Sequence, residues 1–217
     1  MYVVLLGLPG AGKGTQAARL KDVTGLAHIT TGELFRENIR LGTPLGKKAQ
    51  EFYDAGKLVP DEITIGMLLD RMKSDDTKNG VMFDGFPRNT VQAGALDEAL
   101  EAQGKRIDRA IYIRVDQEEL VSRLAGRWNC ANCGAVYHEK NHPPNKAEVC
   151  DNCGSQLTQR SDDKPDVVRT RLEVNLNNLQ PLLDYYGNQG KLSEVDGERD
   201  PSSITADLKR LIIGKED

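Results

Sequence analysis

The sequence predicts an α/β protein: a doubly wound, five-stranded parallel sheet with helices on both faces, carrying two insertions. Three observations lead there. Short β-rich runs alternate with helical stretches along most of the chain, as parallel strands joined by crossover helices do. The first run breaks into a glycine-rich loop that ends in a lysine and leads into a helix, which is a phosphate-binding loop in the setting it requires. Two segments, about 30–59 and about 126–163, fall out of step with the alternation. Both are expected over the carboxyl ends of the strands, where such a loop presents its ligand.

In chain order, the expected strands are Val3 to Leu6, Ala27 to Thr30, Val81 to Phe83, Ile107 to Val115 and Leu192 to Val195. Between the first strand and a helix over Gln16 to Val23 lies Gly7-Leu8-Pro9-Gly10-Ala11-Gly12-Lys13-Gly14-Thr15, which holds the G-x-x-x-x-G-K core. Its glycines let backbone N–H groups converge on a polyphosphate, the helix start adds its dipole, and Lys13 supplies a point charge. A glycine-rich turn that binds nothing would leave the lysine and both flanks without a reason. One departure stands out: Gly14 takes the place of the usual Ser/Thr ligand of Mg²⁺, and Thr15 comes one position late. Helix starts capped by an aspartate are expected at Asp61 after Pro60, at Asp116 with Glu119 as a capping-box variant, and at Asp200-Pro201.

The strand ending in Asp84 gives a second phosphate-enzyme signal. A carboxylate there is placed to hold Mg²⁺ through its water shell. A capping or loop aspartate is the plainer reading of that motif alone, and the phosphate loop tips the balance toward the metal.

Segment 30–59 reads as helical and polar, with glycines at 32, 42, 46 and 56, whereas segment 126–163 holds all four cysteines, Pro143-Pro144 and many turn formers. Cys130-x₂-Cys133 and Cys150-x₂-Cys153, with sixteen residues between the pairs, match the spacing of a ribbon-type metal site. Soft thiolates in a tetrahedron favour zinc, and four protein ligands leave no open position, so the expected zinc is structural. A piece below about 40 residues cannot bury a self-sufficient core and needs such a staple. Redox-active pairs, the other reading of C-x-x-C, do not account for two matched pairs at this spacing.

The 217 residues are 38% hydrophobic and 29% charged, with a formal charge of 29 − 33 = −4. That balance describes a slightly acidic globular protein and argues against nucleic-acid binding through a basic face. The apolar start is far too short to span a membrane and has no basic stretch before it, so it reads as a core strand and the expected location is cytoplasmic. Without an export signal, four cysteines point to metal rather than disulfides.

Taken together, Gly7-x-Pro9-Gly10-x-Gly12-Lys13-Gly14-Thr15-Gln16, Ile29-Thr30-Thr31-Gly32 with Arg36, Gly56-Lys57-Leu58-Val59-Pro60-Asp61, Asp84-Gly85-Phe86-Pro87-Arg88 with Gln92, and Arg160 with Asp162-Asp163 resemble adenylate kinases. The resemblance covers essentially the whole chain, and the cysteine-bearing segment is similar to that of the long, zinc-carrying bacterial form. It implies a core of residues 1–29, 60–125 and 164–217, a monophosphate-binding insertion at 30–59, and a lid over ATP at 126–163. The G-K-G-T variant is the family's own, and its magnesium is held largely through waters, here by Asp84.

The resemblance further implies that ATP meets Gly10, Ala11, Gly12, Lys13, Gly14, Thr15, Arg123, Arg127, Val136, Tyr137 and Arg199. AMP meets Thr31, Arg36, Lys57, Leu58, Val59, Gly85, Phe86, Pro87, Arg88, Gln92, Arg160 and Arg171. Lys13, Arg88, Arg123, Arg160 and Arg171 are the implied catalytic set, with Asp162 and Asp163 fixing the lid's arginines, and Gly126 and the glycines flanking 30–59 serving as hinges. The implied partners are ATP, AMP and ADP, with no nucleic acid or membrane, and the implied state is a monomer.

The chemistry suits these residues. An acceptor phosphate oxygen is already ionised near pH 7, so no general base is needed, and catalysis reduces to positioning and charge neutralisation. Arginine grips phosphate bidentately and stays charged, while His28, His138 and His142 fall in no catalytic arrangement in the sequence. Three other readings compete. A switch GTPase would need a guanine-reading N-K-x-D stretch, which is missing. A zinc-ribbon nucleic-acid module would explain the cysteines alone. The runner-up is a kinase for another nucleoside monophosphate, such as UMP or CMP.

Overall fold

Strand β1 (Tyr2–Leu6) is apolar and buried along its whole length. The computed structural model, which describes residues 1–55, 57–160, 163 and 165–214, is built outward from it. Along the chain follow α1 (Lys13–Thr24), β2 (Ala27–Thr30), α2 (Thr31–Arg40), α3 (Pro44–Asp54), α4 (Asp61–Arg71), β3 (Val81–Asp84), α5 (Thr90–Glu101), β4 (Arg109–Arg114) and α6 (Gln117–Ala125). Then come β5 (Arg127–Cys130), β6 (Val136–His138), β7 (Leu157–Thr158), α7 (Pro165–Asn188), β8 (Leu192–Asp196) and α8 (Pro201–Ile213).

The main sheet has the order β2-β3-β1-β4-β8 and every pairing in it is parallel. Burial on both faces explains why the strands read as apolar runs rather than as alternating ones. Val3 and Leu5 of β1 join Leu20 of α1, Leu120 of α6 and Leu208 of α8 on one face. Tyr2, Val4 and Leu6 join Leu68 of α4, Leu96 of α5 and Tyr186 of α7 on the other. The loops after β1 and β3 emerge side by side where the strand order reverses, the place where open α/β sheets bind ligands.

The five strands stand where the sequence predicts them, with small differences. Strand β4 starts at Arg109 rather than Ile107, since the Asp108 carboxylate accepts from the Tyr2 N–H and ends the ladder there. Helix α1 starts at Lys13 rather than Gln16, because Gly12, left-handed at φ 87°, turns the chain directly into the helix. Asp200 does cap α8, accepting from the N–H groups of Ser202 and Ser203. The other two expected caps are corrected. Asp61 lies inside α4, where its carboxylate accepts from Asn89 and Gln92 instead of the helix backbone. Asp116 makes no side-chain cap bond, and Glu119 accepts from Arg123 instead of closing a capping box.

Within segment 126–163, β5 is the middle of a small antiparallel sheet of order β6-β5-β7, with Cys130, Tyr137, Cys150 and Leu157 buried beneath it. Gly56 and Asp162 lie outside the described residues.

Candidate active site

The phosphate loop holds its shape through glycine. Gly10 and Gly12 have φ of 89° and 87°, which side-chain-bearing residues rarely adopt. Lys13 folds back across the loop, its Nζ donating to the carbonyls of Gly7 (2.9 Å) and Leu8 (3.1 Å). Burial pulls its pKa down to about 8; Asp84 opposes the shift, while the charges of Arg88, Arg171 and Arg127 reinforce it. Asp84 ends β3 and lies beside Leu5 of β1 and Thr30 of β2. Burial pushes its carboxyl up, but the approach of His28 and the charge of Lys13 outweigh that and hold it below the usual range. A Cβ on Gly14 would stand 3.3 Å from Asp84 Oδ2. The glycine that departs from the general motif therefore lets the carboxylate close on the first turn of α1.

The acceptor side is built on the loop after β3. Thr31, buried at the start of α2, donates to the Gly85 carbonyl (2.8 Å) and accepts from Arg88 Nη2 (3.2 Å), while Arg88 Nε donates to the same carbonyl (2.9 Å). Gly85 must be glycine: a Cβ there would come within 2.8 Å of Thr31 Oγ1. Phe86 is fully buried and joined to Pro87 by a cis peptide. Gln92, 1% exposed, is fixed at both ends of its amide: Oε1 accepts from the Arg88 N–H (2.8 Å) and Nε2 donates to Asp61 Oδ1 (2.7 Å).

Gly32, Phe35, Arg36, Tyr53, Lys57, Val59, Arg88, Arg160 and Arg171 line one cavity. Four arginines and a lysine from the core, from segment 30–59 and from segment 126–163 thus surround a single space, an arrangement suited to polyanions and to little else. Asp163, buried, accepts from Arg127 through both oxygens (2.7 and 2.5 Å) and from Arg171 (3.1 Å). Of these two arginines only Arg127 lies in segment 126–163; Arg171 belongs to α7.

A family model described as adenylate kinase matches residues 5–191. The adenylate kinase of Geobacillus sp. is 48% identical over 99% of both chains. That of Bacillus licheniformis is 49% identical over 100% of both, and that of Bacillus subtilis 48% over 99% of both. The chain belongs to the adenylate kinase family.

In this adenylate kinase homologue the four cysteines come together, with all their Sγ atoms within 4.8 Å of one another. Cys130 and Cys153 are 3.4 Å apart and Cys133 and Cys150 3.5 Å. Zn–S bonds of about 2.3 Å in a tetrahedron put sulfurs about 3.8 Å apart, so the cluster fits that ion. Tyr137 is buried against it, its hydroxyl accepting from the Asp151 N–H and its ring stacked on His142. Its side chain therefore serves the packing of the segment, while Val136 beside it stays exposed.

Arg123 donates to Glu119 and to the Gly197 carbonyl, and Arg199 pairs with Asp207. These two arginines are held outside the cavity that gathers Arg36, Arg88, Arg160 and Arg171. Ala11 is buried, Gly14 and Thr15 are exposed at the start of α1, and Leu58 is half-buried between Lys57 and Val59. Gly126 ends α6 at an ordinary φ of −89°; its reason is space, since a Cβ would meet His138 Nε2 at 2.5 Å. Trp128 and the Tyr185–Tyr186 pair serve as packing.

Two residues at the site were not singled out for it from the sequence. His28 stands 3.5 Å from Asp84 Oδ2, without hydrogen-bond geometry. The register pairs Asp84 with Thr30 and His28 with Met82, so the contact runs diagonally between neighbouring strands and needs the three-dimensional structure to be seen. Asp61 reads from the sequence only as a helix start, and its partner Gln92 is 31 residues away, a separation that no local motif reports.

Proposed function

We propose that the protein catalyses reversible, magnesium-dependent phosphoryl transfer from ATP to AMP, giving two ADP. One observation carries this reading: Arg36, Arg88, Arg160 and Arg171 line one cavity, while Lys13 is held across the phosphate loop and Asp84 closes on the first turn of α1. That is the apparatus for neutralising a transferring phosphoryl group, whose acceptor oxygen needs no deprotonation.

On binding, Lys13 exchanges the Gly7 and Leu8 carbonyls for phosphate oxygens. The N–H groups of residues 10–15 cradle the triphosphate, with Arg123, Arg127, Val136, the backbone of Tyr137 and Arg199 toward its nucleoside side. Arg36, Arg88 and Arg171 grip the acceptor phosphate, Arg160 spans the two nucleotides, and Thr31, Gln92 and the backbone of 57–59 read the base. Asp84 holds the magnesium through water; its buried, ionised carboxylate suits a hard cation, which when bound adds charge neutralisation on the phosphates. Cys130, Cys133, Cys150 and Cys153 hold a structural zinc.

Segments 30–59 and 126–163 act as a monophosphate-binding insertion and a lid that exclude water, since hydrolysis is the competing reaction. The protein works as a cytoplasmic monomer without nucleic acid or membrane; its net charge of −4 speaks against a basic nucleic-acid face, and among the described residues no helix is long and apolar enough to cross a membrane.

The test is ADP formation from ATP and Mg²⁺ with AMP, UMP, CMP or GMP as acceptor. AMP is expected to be preferred by a wide margin. Preference for UMP or CMP would overturn the assignment, and the full-length relatives, all named adenylate kinase, do not favour that outcome.

A further inference from the structure

Asp61 accepts from Asn89 Nδ2 at both oxygens (3.0 and 3.2 Å) and from Gln92 Nε2 at 2.7 Å. Gln92 Oε1 at the same time accepts from the Arg88 N–H at 2.8 Å. We propose that Asp61 is a specificity-determining positioning residue: it locks the Gln92 amide in the one orientation that reads adenine. The proposal rests on the reading of Gln92 as the acceptor-base residue.

An amide carries two N–H donors on nitrogen and two lone pairs on oxygen, and by shape alone its two ends interchange. Here they do not. A carboxylate only accepts, and a backbone N–H only donates. Turning the amide over would set Oε1 against the carboxylate of Asp61 and Nε2 against the N–H of Arg88, leaving two buried polar clashes. The locked amide keeps one lone pair on the Arg88 side and one N–H on the Asp61 side. Arg88 lines the acceptor cavity, as does Val59, two residues before Asp61.

A fixed order of acceptor and donor is a code. Adenine offers a 6-amino donor and an N1 acceptor, whereas hypoxanthine and guanine offer a 6-oxo acceptor and an N1–H donor. The locked amide matches the first pair and opposes the second; an amide free to turn would match either. Discrimination thus comes from a mismatch built against the wrong base as well as from contacts to the right one. The carboxylate itself touches no substrate in this scheme.

AMP and IMP differ only at these two base positions, so the ratio of their kcat/KM values reads the lock. The wild-type protein, Asp61→Asn and Asp61→Ala are compared, with Gln92→Ala as reference. In Asp61→Asn the new side chain offers a donor as well as an acceptor, so a turned Gln92 regains a partner. The AMP-over-IMP ratio is expected to fall about tenfold, the size of effect one charged hydrogen bond can exert.

Thermal unfolding is recorded alongside, because a purely structural Asp61 would lower stability and both kcat/KM values by a common factor. That equal fall in both variants overturns the lock. A preference lost in Gln92→Ala but intact in both Asp61 variants also overturns it while leaving the base reading standing. A wild-type protein that does not distinguish AMP from IMP, or a Gln92→Ala variant that still does, overturns the base reading and the lock together.

Discussion

Segments 30–59 and 126–163 are held together by different physics. Segment 30–59 leans on the main domain: Phe35 and Ala49 of α2 and α3 are buried with Val59 and with Met67 of α4. Its helices touch backbone to backbone at Gly46, where a Cβ would lie 2.1 Å from the Asn38 carbonyl. Segment 126–163 has only short strands, and two of the four residues in its buried cluster are cysteines. An insertion that borrows apolar surface from its host needs no staple, whereas one that stands off the sheet must be held by something stronger per residue than hydrophobic contact.

The largest effect is expected at the loop after β3, which shares one cavity with residues of both segments. Arg88→Ala should lower kcat by about 10²-fold or more, because its grip strengthens as charge develops on the transferring group. Arg36→Ala, on the leaning insertion, should chiefly raise KM for AMP. Steady-state kinetics with AMP varied separates the two. An Arg88→Ala variant impaired only in KM would make Arg88 a binding residue like Arg36.

The contrast in packing is tested next. Phe35→Ala should cost about 3–4 kcal/mol, as truncation of a buried aromatic does, and should open α2 and α3 to hydrogen exchange while leaving β5–β7 protected. Chelation of the proposed zinc should do the reverse, and Cys150→Ser should reproduce it. Heat stability should fall well before low-temperature activity does. If protein prepared without chelator holds no stoichiometric zinc, or chelation leaves exchange in β5–β7 unchanged, the staple is not metallic.

What could be read from the sequence divides along the same line between local and distant. The strand–loop–helix at Gly7–Lys13, the paired cysteines and the cap at Asp200 are local patterns with one physical meaning each, and all three are found in the structure. The Asp61 cap is replaced because a carboxylate near a helix start goes to the strongest donor within reach, whereas Asp116 makes no side-chain cap bond and the structure offers no reason for it. For Asp61 those donors are Asn89 and Gln92, brought close only by the fold. Gly14 was legible as an anomaly, but its cause, the closeness of Asp84, needed the packing of β3 beside β1. The pairing of Asp163 with Arg127 likewise spans 36 residues, and spacing alone does not reveal it.

The smallest expected effect concerns Lys13, which neither insertion covers by itself. Its pKa in the folded protein is about 8, against an ordinary 10.5. Between these values the unfolded chain binds more protons at this group than the folded one, so its contribution to stability rises with pH through that window and is a constant penalty below about 8. Ligand binding has the opposite sign. A triphosphate prefers the charged amine, so binding above pH 8 must take up a proton. The dissociation constant for ATP, measured calorimetrically without turnover, should therefore rise about tenfold between pH 7 and pH 9. Proton uptake should appear as a dependence of the binding heat on buffer. Lys13→Arg keeps its charge throughout this range and should give a flat profile. A wild-type profile as flat as that of the arginine variant would mean that the buried amine stays charged, and that the carbonyls of Gly7 and Leu8 replace the solvation it has lost.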